Sequence, residues 1–377
     1  MENAPPLRPN SPLAQAKRLV ILRFDKLGDT ILALPCLRWL ERHLPTAQTT
    51  IVASPLGAPV LAREKSEVKI FDPQSNNLQA DLGAYLKSQD FDILFCFTEK
   101  GFALKASGQS QIPHRYGFTP GLHNPVRALS VNWQLTTSLP NPSANPKINE
   151  HRHEVERFFS LLEAAGATYN PPLPPLTLPT TPKEEEAARE RLQSLLQGLG
   201  KEPSTFTCAL QLMPRLSKFI GTPRLNYEEH LGFIIKLYGL LLEARVQPLF
   251  TLAPGDRSWA LPFLAYLQEK LNLPHLPPLF CEPDLFQTVA FLKNLSLMVT
   301  PLGGSTHLAA AAQIPVVWII EERTATTEMS RWHPYQTPNQ PVIREEDQPQ
   351  DGERLWHNLY EACLAYVYQN QRSNAHL

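Results

Sequence analysis

The sequence predicts an α/β protein built as two Rossmann-like domains facing across a cleft. Short apolar runs alternate with amphipathic stretches in the first half of the chain, and the same plan repeats in the second half. A stiff proline-rich segment separates the halves. Alternation of this kind produces βαβ units on a parallel sheet.

Residues 1–17 carry Pro5, Pro6, Pro9 and Pro12 without an apolar run, and read as a flexible tail with no secretory signal. The first domain, 18–170, has apolar, β-rich runs at 18–23, 49–53, 68–71 and 91–97, which read as strands. Helical periodicity marks 30–43, 78–88 and 151–165. Three prolines between 139 and 148, Pro140, Pro142 and Pro146, forbid helix there and leave a loop. Residues 171–182 form the linker, since prolines at 171, 172, 174, 175 and 179 hold it extended. In the second domain, 183–350, strands are expected at 206–211, 247–252, 296–300 and 315–320, between helices at 183–197, 227–244, 257–271, 284–293 and 305–313. The remainder, 351–377, has helical spacing from Gly352 to Val367 and reads as a C-terminal helix and tail.

Composition narrows the function. The 377 residues are 43% hydrophobic and 19% charged, the balance of a globular chain long enough for two cores. A formal net charge of −1 gives no field that would draw the protein to nucleic acid. Cys36, Cys96, Cys208, Cys281 and Cys363 are scattered, odd in number and without Cys-x-x-Cys spacing, so they predict neither a disulfide framework nor a zinc site. No run approaches the roughly 18 apolar residues of a membrane span. A cytosolic protein follows, with any membrane contact peripheral.

The most informative stretch is Leu27-Gly28-Asp29, between the strand at 18–23 and the helical run from Thr30 to Leu40. It places a carboxylate where the carboxyl end of a strand meets the first turn of a helix, the crevice in which open α/β sheets bind ligands. One reading of Asp29 is a helix N-cap, satisfying orphan amides and complementing the dipole. The wider string Arg23-Phe24-Asp25-Lys26-Leu27-Gly28-Asp29-Thr30-Ile31-Leu32-Ala33-Leu34-Pro35 resembles the N-terminal signature of glycosyltransferase family 9, the bacterial heptosyltransferases of the lipopolysaccharide inner core. That resemblance implies a GT-B type fold. It also implies that Asp29 is the base that takes the proton of an acceptor hydroxyl, with Arg23 and Lys26 as acceptor contacts.

A second site lies at Pro301-Leu302-Gly303-Gly304-Ser305-Thr306-His307-Leu308-Ala309-Ala310-Ala311. A strand ends, two glycines turn the chain, and Ser305 or Thr306 can cap an Ala-rich helix whose first amides suit a pyrophosphate. Family 9 has an Asp-Ser/Thr-Gly-x-x-His-x-Ala-Ala-Ala element at this point, which Gly304, His307 and Ala309 to Ala311 match. Leu302 and Gly303 depart from it, removing a polar contact to the donor. The resemblance implies a donor site of Gly303, Gly304, Ser305 and His307, completed by Lys218 as first choice or Arg224 as second for the phosphates, and by Asp256 for the ribose. Glu150 to Phe158 looks like the family's His-Glu-Val-x-Arg helix, and Arg331-Trp332-His333-Pro334-Tyr335 like its Arg-Trp-Gly-Pro-Tyr element.

The implied reaction is inverting transfer of a heptose from a nucleotide sugar, ADP-heptose, to a Kdo- or heptose-bearing lipopolysaccharide core. It requires no metal and no cofactor, and takes place at the cytoplasmic face of the inner membrane. Two other classes stay open: a non-catalytic sugar-nucleotide or glycan-binding protein, which Leu302 and Gly303 favour, and a two-lobed nucleotide-sugar isomerase. Dehydrogenase, P-loop and nucleophile-elbow chemistries lack their motifs. His151 and His153 alternate, so a helix would not converge them on zinc.

Overall fold

A computed structural model describes residues 6–119, 133–140, 152–211, 227–252, 257–344 and 351–375. The chain divides into two compact units, Met1–Leu176 and Thr177–Leu377.

In the first unit the elements run α1 (Pro12–Gln15), β1 (Arg18–Arg23), α2 (Leu27–Ile31), α3 (Leu34–His43), β2 (Gln48–Ala53), α4 (Ala58–Leu61) and β3 (Glu67–Ile70). They continue with α5 (Leu78–Ser88), β4 (Ile93–Cys96), α6 (Gly101–Gln109), β5 (His114–Thr119), β6 (Thr137–Pro140) and α7 (Glu154–Ala165). The sheet order is β3-β2-β1-β4-β5-β6, and every pairing is parallel. Chain order reverses between β1 and β4, which stand side by side with Leu22 opposite Cys96. Leu19, Val20, Ile21 and Leu22 are all fully buried, because helices cover both faces of a parallel sheet. On one face Val20, Leu22 and Leu94 pack with Leu82, Leu86 and Leu104 of α5 and α6. On the other, α7 brings Phe158 against Phe97 and Phe159 against Trp39, with ring centroids 4.7 and 5.1 Å apart.

The second unit repeats the design. It contains α8 (Pro182–Gly198), β7 (Thr207–Leu210), α9 (Tyr227–Glu243), β8 (Gln247–Leu252), α10 (Arg257–Lys270), β9 (Leu279–Cys281) and α11 (Leu285–Leu292). Then follow β10 (Leu297–Pro301), α12 (Gly304–Ala311), β11 (Val316–Glu321), α13 (Ala325–Arg331), β12 (Asn339–Arg344) and α14 (Asp351–Ala375). The order β12-β11-β10-β7-β8-β9 is the same doubly wound plan, with its reversal between β7 and β10. Helix α14 lays Leu355, Leu359, Ala362, Cys363 and Val367, a single helical stripe, into the core shared with α9 and β8.

Three expectations change. The start of the chain is not a loose tail from residue 6 onward: Arg8 N–H donates to the Gly166 carbonyl at 2.8 Å, Thr168 N–H to that of Pro6 at 2.8 Å, and Leu13 is fully buried. Gly166 makes this contact possible, with φ of 122° and a Cβ position only 2.2 Å from the Ser11 side chain. The helix expected over 30–43 is two helices broken at Leu32–Ala33, because Pro35 lacks an N–H and its ring would strike the Ile31 carbonyl. Strands β5, β6, β9 and β12 were not expected. Each is short, carries polar residues or glycine, or lies toward a sheet edge, so none shows an apolar run.

The cysteines behave as core residues. All five are free, and Cys281 alone among them is not fully enclosed. Burial pushes the Cys96 thiol up to about 12.

Candidate active site

Helix α2 begins at the carboxyl end of β1, beside β4, at the point of reversal where open α/β sheets bind ligands. It starts at Leu27, earlier than the sequence pattern suggests, so Asp29 is not its N-cap. Lys26 holds that position, and Asp29 lies in the first turn, where its Oδ2 accepts the Lys26 N–H at 3.2 Å. The reversed arrangement still satisfies one orphan amide and sets a negative charge on the positive end of the helix. The Asp29 side chain is 25% exposed, open to solvent on one side.

Behind it stands Arg23, the last residue of β1 and 3% exposed. Arg23 Nε donates to the Asp29 carbonyl at 3.1 Å and Nη1 to Asp25 Oδ2 at 3.1 Å. Nη1 also donates to the Phe97 carbonyl just beyond β4, and Nη2 lies 3.7 Å from Asp29 Oδ1. The guanidinium rests on the Phe158 ring at 4.7 Å. With every face engaged, Arg23 ties β1, β4 and α7 together rather than projecting toward an acceptor. Lys26 is exposed.

Burial outweighs this arginine. Burial pushes the Asp29 carboxyl above the usual carboxylate range, Arg23 pulls it down, and Asp25 and Glu154 push it further up. A carboxylate that protonates more readily than an ordinary aspartate is better matched to accepting a proton.

At the matching point of the second unit, β10 runs into α12 through Leu302 and Gly303. Gly303, not Ser305 or Thr306, is the N-cap. Thr306 Oγ1 accepts the Gly303 N–H at 3.1 Å and donates to the Pro301 carbonyl at 3.0 Å. The Leu302 N–H goes to the Ile319 carbonyl at 3.1 Å. The amides of Gly304 and Ser305 are thus the ones left at this helix end by its internal bonding. His307 is buried, with its ring 6.3 Å from that of Trp332, so the Gly-Gly turn and the Arg-Trp element come together. Arg331 lies over the same indole at 4.7 Å.

Lys218, Arg224 and Asp256 lie outside the described residues. Among the described residues no cluster of His, Cys, Asp or Glu could hold a metal ion. Arg115 donates to the carbonyls of Gln134 and Ile112. Sequence reasoning gave no role to Glu154 and Arg157, which form a buried ion pair, or to Glu99, whose Oε1 lies 3.6 Å from Arg157 Nη2. The signal available was the helical spacing, which puts Glu154, Arg157 and Phe158 on one face of α7.

Two doubly wound parallel sheets, each with a chemically equipped reversal point, define the GT-B class of fold. Solved structures agree at low identity. The glycosyl transferase family 9 structure from Veillonella parvula has 15% identity and a TM-score of 0.70, covering 94% of this chain and 97% of that one. The E. coli ADP-heptose lps heptosyltransferase II has 16% identity, a TM-score of 0.67 and coverage of 94% and 99%. The E. coli heptosyltransferase WaaC with ADP has 13% identity, a TM-score of 0.59 and coverage of 92% and 99%. No protein-family model and no curated protein matches the chain. The likeness is one of fold.

Proposed function

We propose that the protein is a glycosyltransferase of family 9 that moves a heptose, with inversion, from ADP-heptose to a Kdo- or heptose-bearing lipopolysaccharide core. The observation that carries this reading is Asp29: a half-open carboxylate with raised proton affinity, in the first turn after β1, within a signature that resembles that family. In this reading Asp29 removes the acceptor hydroxyl proton as the oxygen attacks the anomeric carbon, and ADP departs from the opposite face. The negative charge growing on ADP needs preorganised donors. The amides of Gly304 and Ser305 at the α12 N-terminus suit it, with Lys218 or Arg224 as the cation and Asp256 on the ribose. Arg23 acts through Asp29, and Lys26 is the acceptor contact.

The fold shared with a heptosyltransferase solved with ADP supports an adenine nucleotide as donor. No described helix is long and apolar enough to cross a membrane, so the protein would meet its lipid-anchored acceptor peripherally, on the cytoplasmic side.

Leu302 and Gly303, in place of the family's acidic and hydroxyl residues, favour a second reading, a sugar-nucleotide-binding protein without turnover. Incubation with ADP-heptose and Kdo-bearing core glycan separates the two. Transfer releases ADP and adds one heptose to the glycan by mass. Saturable ADP binding with neither product overturns the transferase reading.

A further inference from the structure

An arginine beside a carboxylate favours a two-pronged grip, both terminal nitrogens on both oxygens. Arg23 does not take Asp29 in this way. Its Nε–H goes to the main-chain carbonyl of Asp29 at 3.1 Å, and its Nη1 to Asp25 Oδ2 at 3.1 Å and to the Phe97 carbonyl. Nη2 stays 3.7 Å from Asp29 Oδ1, beyond hydrogen-bond distance. One guanidinium thus hydrogen-bonds the Asp25 carboxylate and only stands near that of Asp29. The turn between β1 and α2 sets up this division. Asp29 gives its Oδ2 to the Lys26 N–H at 3.2 Å, which draws its carboxylate to the helix end. Asp25 is held from the other side, where its carbonyl accepts the Ser54 hydroxyl at 3.4 Å just past β2. The chain after Ser54 is packed on α2, since a Cβ on Gly57 would lie 2.8 Å from Thr30 Oγ1. A cation in direct contact would favour the charged form of Asp29, and a carboxylate so stabilised is a poorer acceptor of a proton.

We propose that Asp25 is a positioning residue for Asp29: by engaging the Arg23 guanidinium it keeps that cation off the Asp29 carboxylate and leaves the base free to take the acceptor proton. This inference rests on the reading of Asp29 as the base. A charged acceptor is what the role requires, because a hydrogen bond to an ionised group is about twice as strong as one to a carbonyl such as that of Phe97. The other charged groups of this end of the unit are Lys26 in the same turn, Glu154 and Arg157 of α7, which pair with each other, and Glu99 beyond β4, which reaches Arg157. His153 caps α7 through Nδ1, which accepts the Val155 N–H at 3.2 Å. Among the described contacts of Arg23, Asp25 supplies the shortest to a carboxylate. Replacing Asp25 by a neutral isostere releases Nη1 and removes a like charge, and both changes favour ionised Asp29.

The experiment is a carboxyl carbon NMR titration of Asp29 in the full-length protein, run with the pH profile of kcat/KM. In wild type, Asp29 titrates above an ordinary aspartate. In Asp25→Asn the Asp29 midpoint and the acidic limb of the profile both move to lower pH. At neutral pH kcat falls by less than about tenfold, short of the roughly 10²–10⁴ that loss of the base itself brings. Asp25→Glu, which keeps the anion, returns midpoint and profile toward wild type, and ADP affinity is the same in all three proteins. A folded Asp25→Asn with the Asp29 midpoint unchanged or raised overturns the proposal and leaves Asp25 a purely structural partner of Arg23. So does a wild-type Asp29 that titrates at or below the ordinary value, a measurement that needs no variant. The titration reads Asp29 without turnover, so absence of transferase activity strikes the functional reading and leaves this inference to the NMR result.

Discussion

The two units share one topology, yet their reversal points are built from opposite materials. In the first, side chains do the work: Asp29, Asp25, Glu99 and Glu154 are held by two arginines that lie on aromatic rings. In the second, the described loop offers backbone amides at α12, a threonine that internally caps Gly303, and an apolar Leu302. A titratable carboxylate suits proton transfer, whereas fixed amide dipoles suit an anion and need no protonation change. Doubly wound topology supplies a place for chemistry, and the residues at the strand ends decide which chemistry it is.

The contrast can be broken most severely at Arg23. Arg23→Met leaves Asp25, Asp29 and the Phe97 carbonyl without their buried cation, and should cost about 3–5 kcal/mol of stability by denaturant unfolding. Asp29→Asn should act in the other direction. The fold raises the Asp29 pKa, so ionisation there opposes folding, fully above the folded-state value and not at all below the ordinary value of about 3.9. The variant should melt above wild type at pH 7, and the difference should vanish as the pH falls toward the ordinary value. A lower melting temperature for Asp29→Asn at pH 7 would show that the Arg23 contact outweighs burial and repulsion.

Effects in the second unit should be smaller, because no charge is uncovered. Thr306→Val frees the Gly303 amide, which should cost about 1 kcal/mol. ADP affinity by calorimetry should hold or improve, since the freed N–H becomes available to a phosphate. Smallest of all is Gly303→Ser: φ is 166°, ordinary extended backbone, and the nearest atom to an added Cβ is 4.0 Å away. Its unfolding free energy should stay within about 0.5 kcal/mol of wild type. Leu302→Asp beside it should raise discrimination for ADP-heptose over ADP-glucose in the same binding assay, with little change for ADP itself.

Much of this architecture is legible in the sequence because parallel strands buried on both faces must be apolar throughout. The strands 18–23 and 247–252 were expected at their observed bounds. Strands β5, β6, β9 and β12 were not, since β12 opens on Asn339, Gln340 and Pro341 before Val342 and Ile343, and β5 is interrupted by Gly117. At the candidate site, Asp29 was singled out from its motif, but its place in the helix was not. The sequence offers no cap signal at Lys26, and only the structure shows the carboxylate reaching back to that amide. The rise in the Asp29 carboxyl comes first from burial, with Asp25, four residues away, and Glu154, more than a hundred away, adding to it, an enclosure that no local pattern encodes. Arg23 was expected at the acceptor because it lies within the string that resembles the family signature. Its burial depends on Phe158 and on the Phe97 carbonyl, both remote in sequence.

Under the proposed function the base and the nucleotide site are separate and chemically different, one a carboxylate in the first unit and the other an amide-lined helix end in the second. Transfer rate and ADP affinity measured together on Asp29→Asn test it most directly. An amide can still accept the Lys26 N–H but cannot take a proton from the acceptor. Transfer from ADP-heptose should therefore fall by about 10²–10⁴-fold, while the Kd for ADP stays within about twofold of wild type, well under the 1.4 kcal/mol that a tenfold change represents. Transfer close to wild type, or lost ADP binding in a variant that remains folded, would contradict the account.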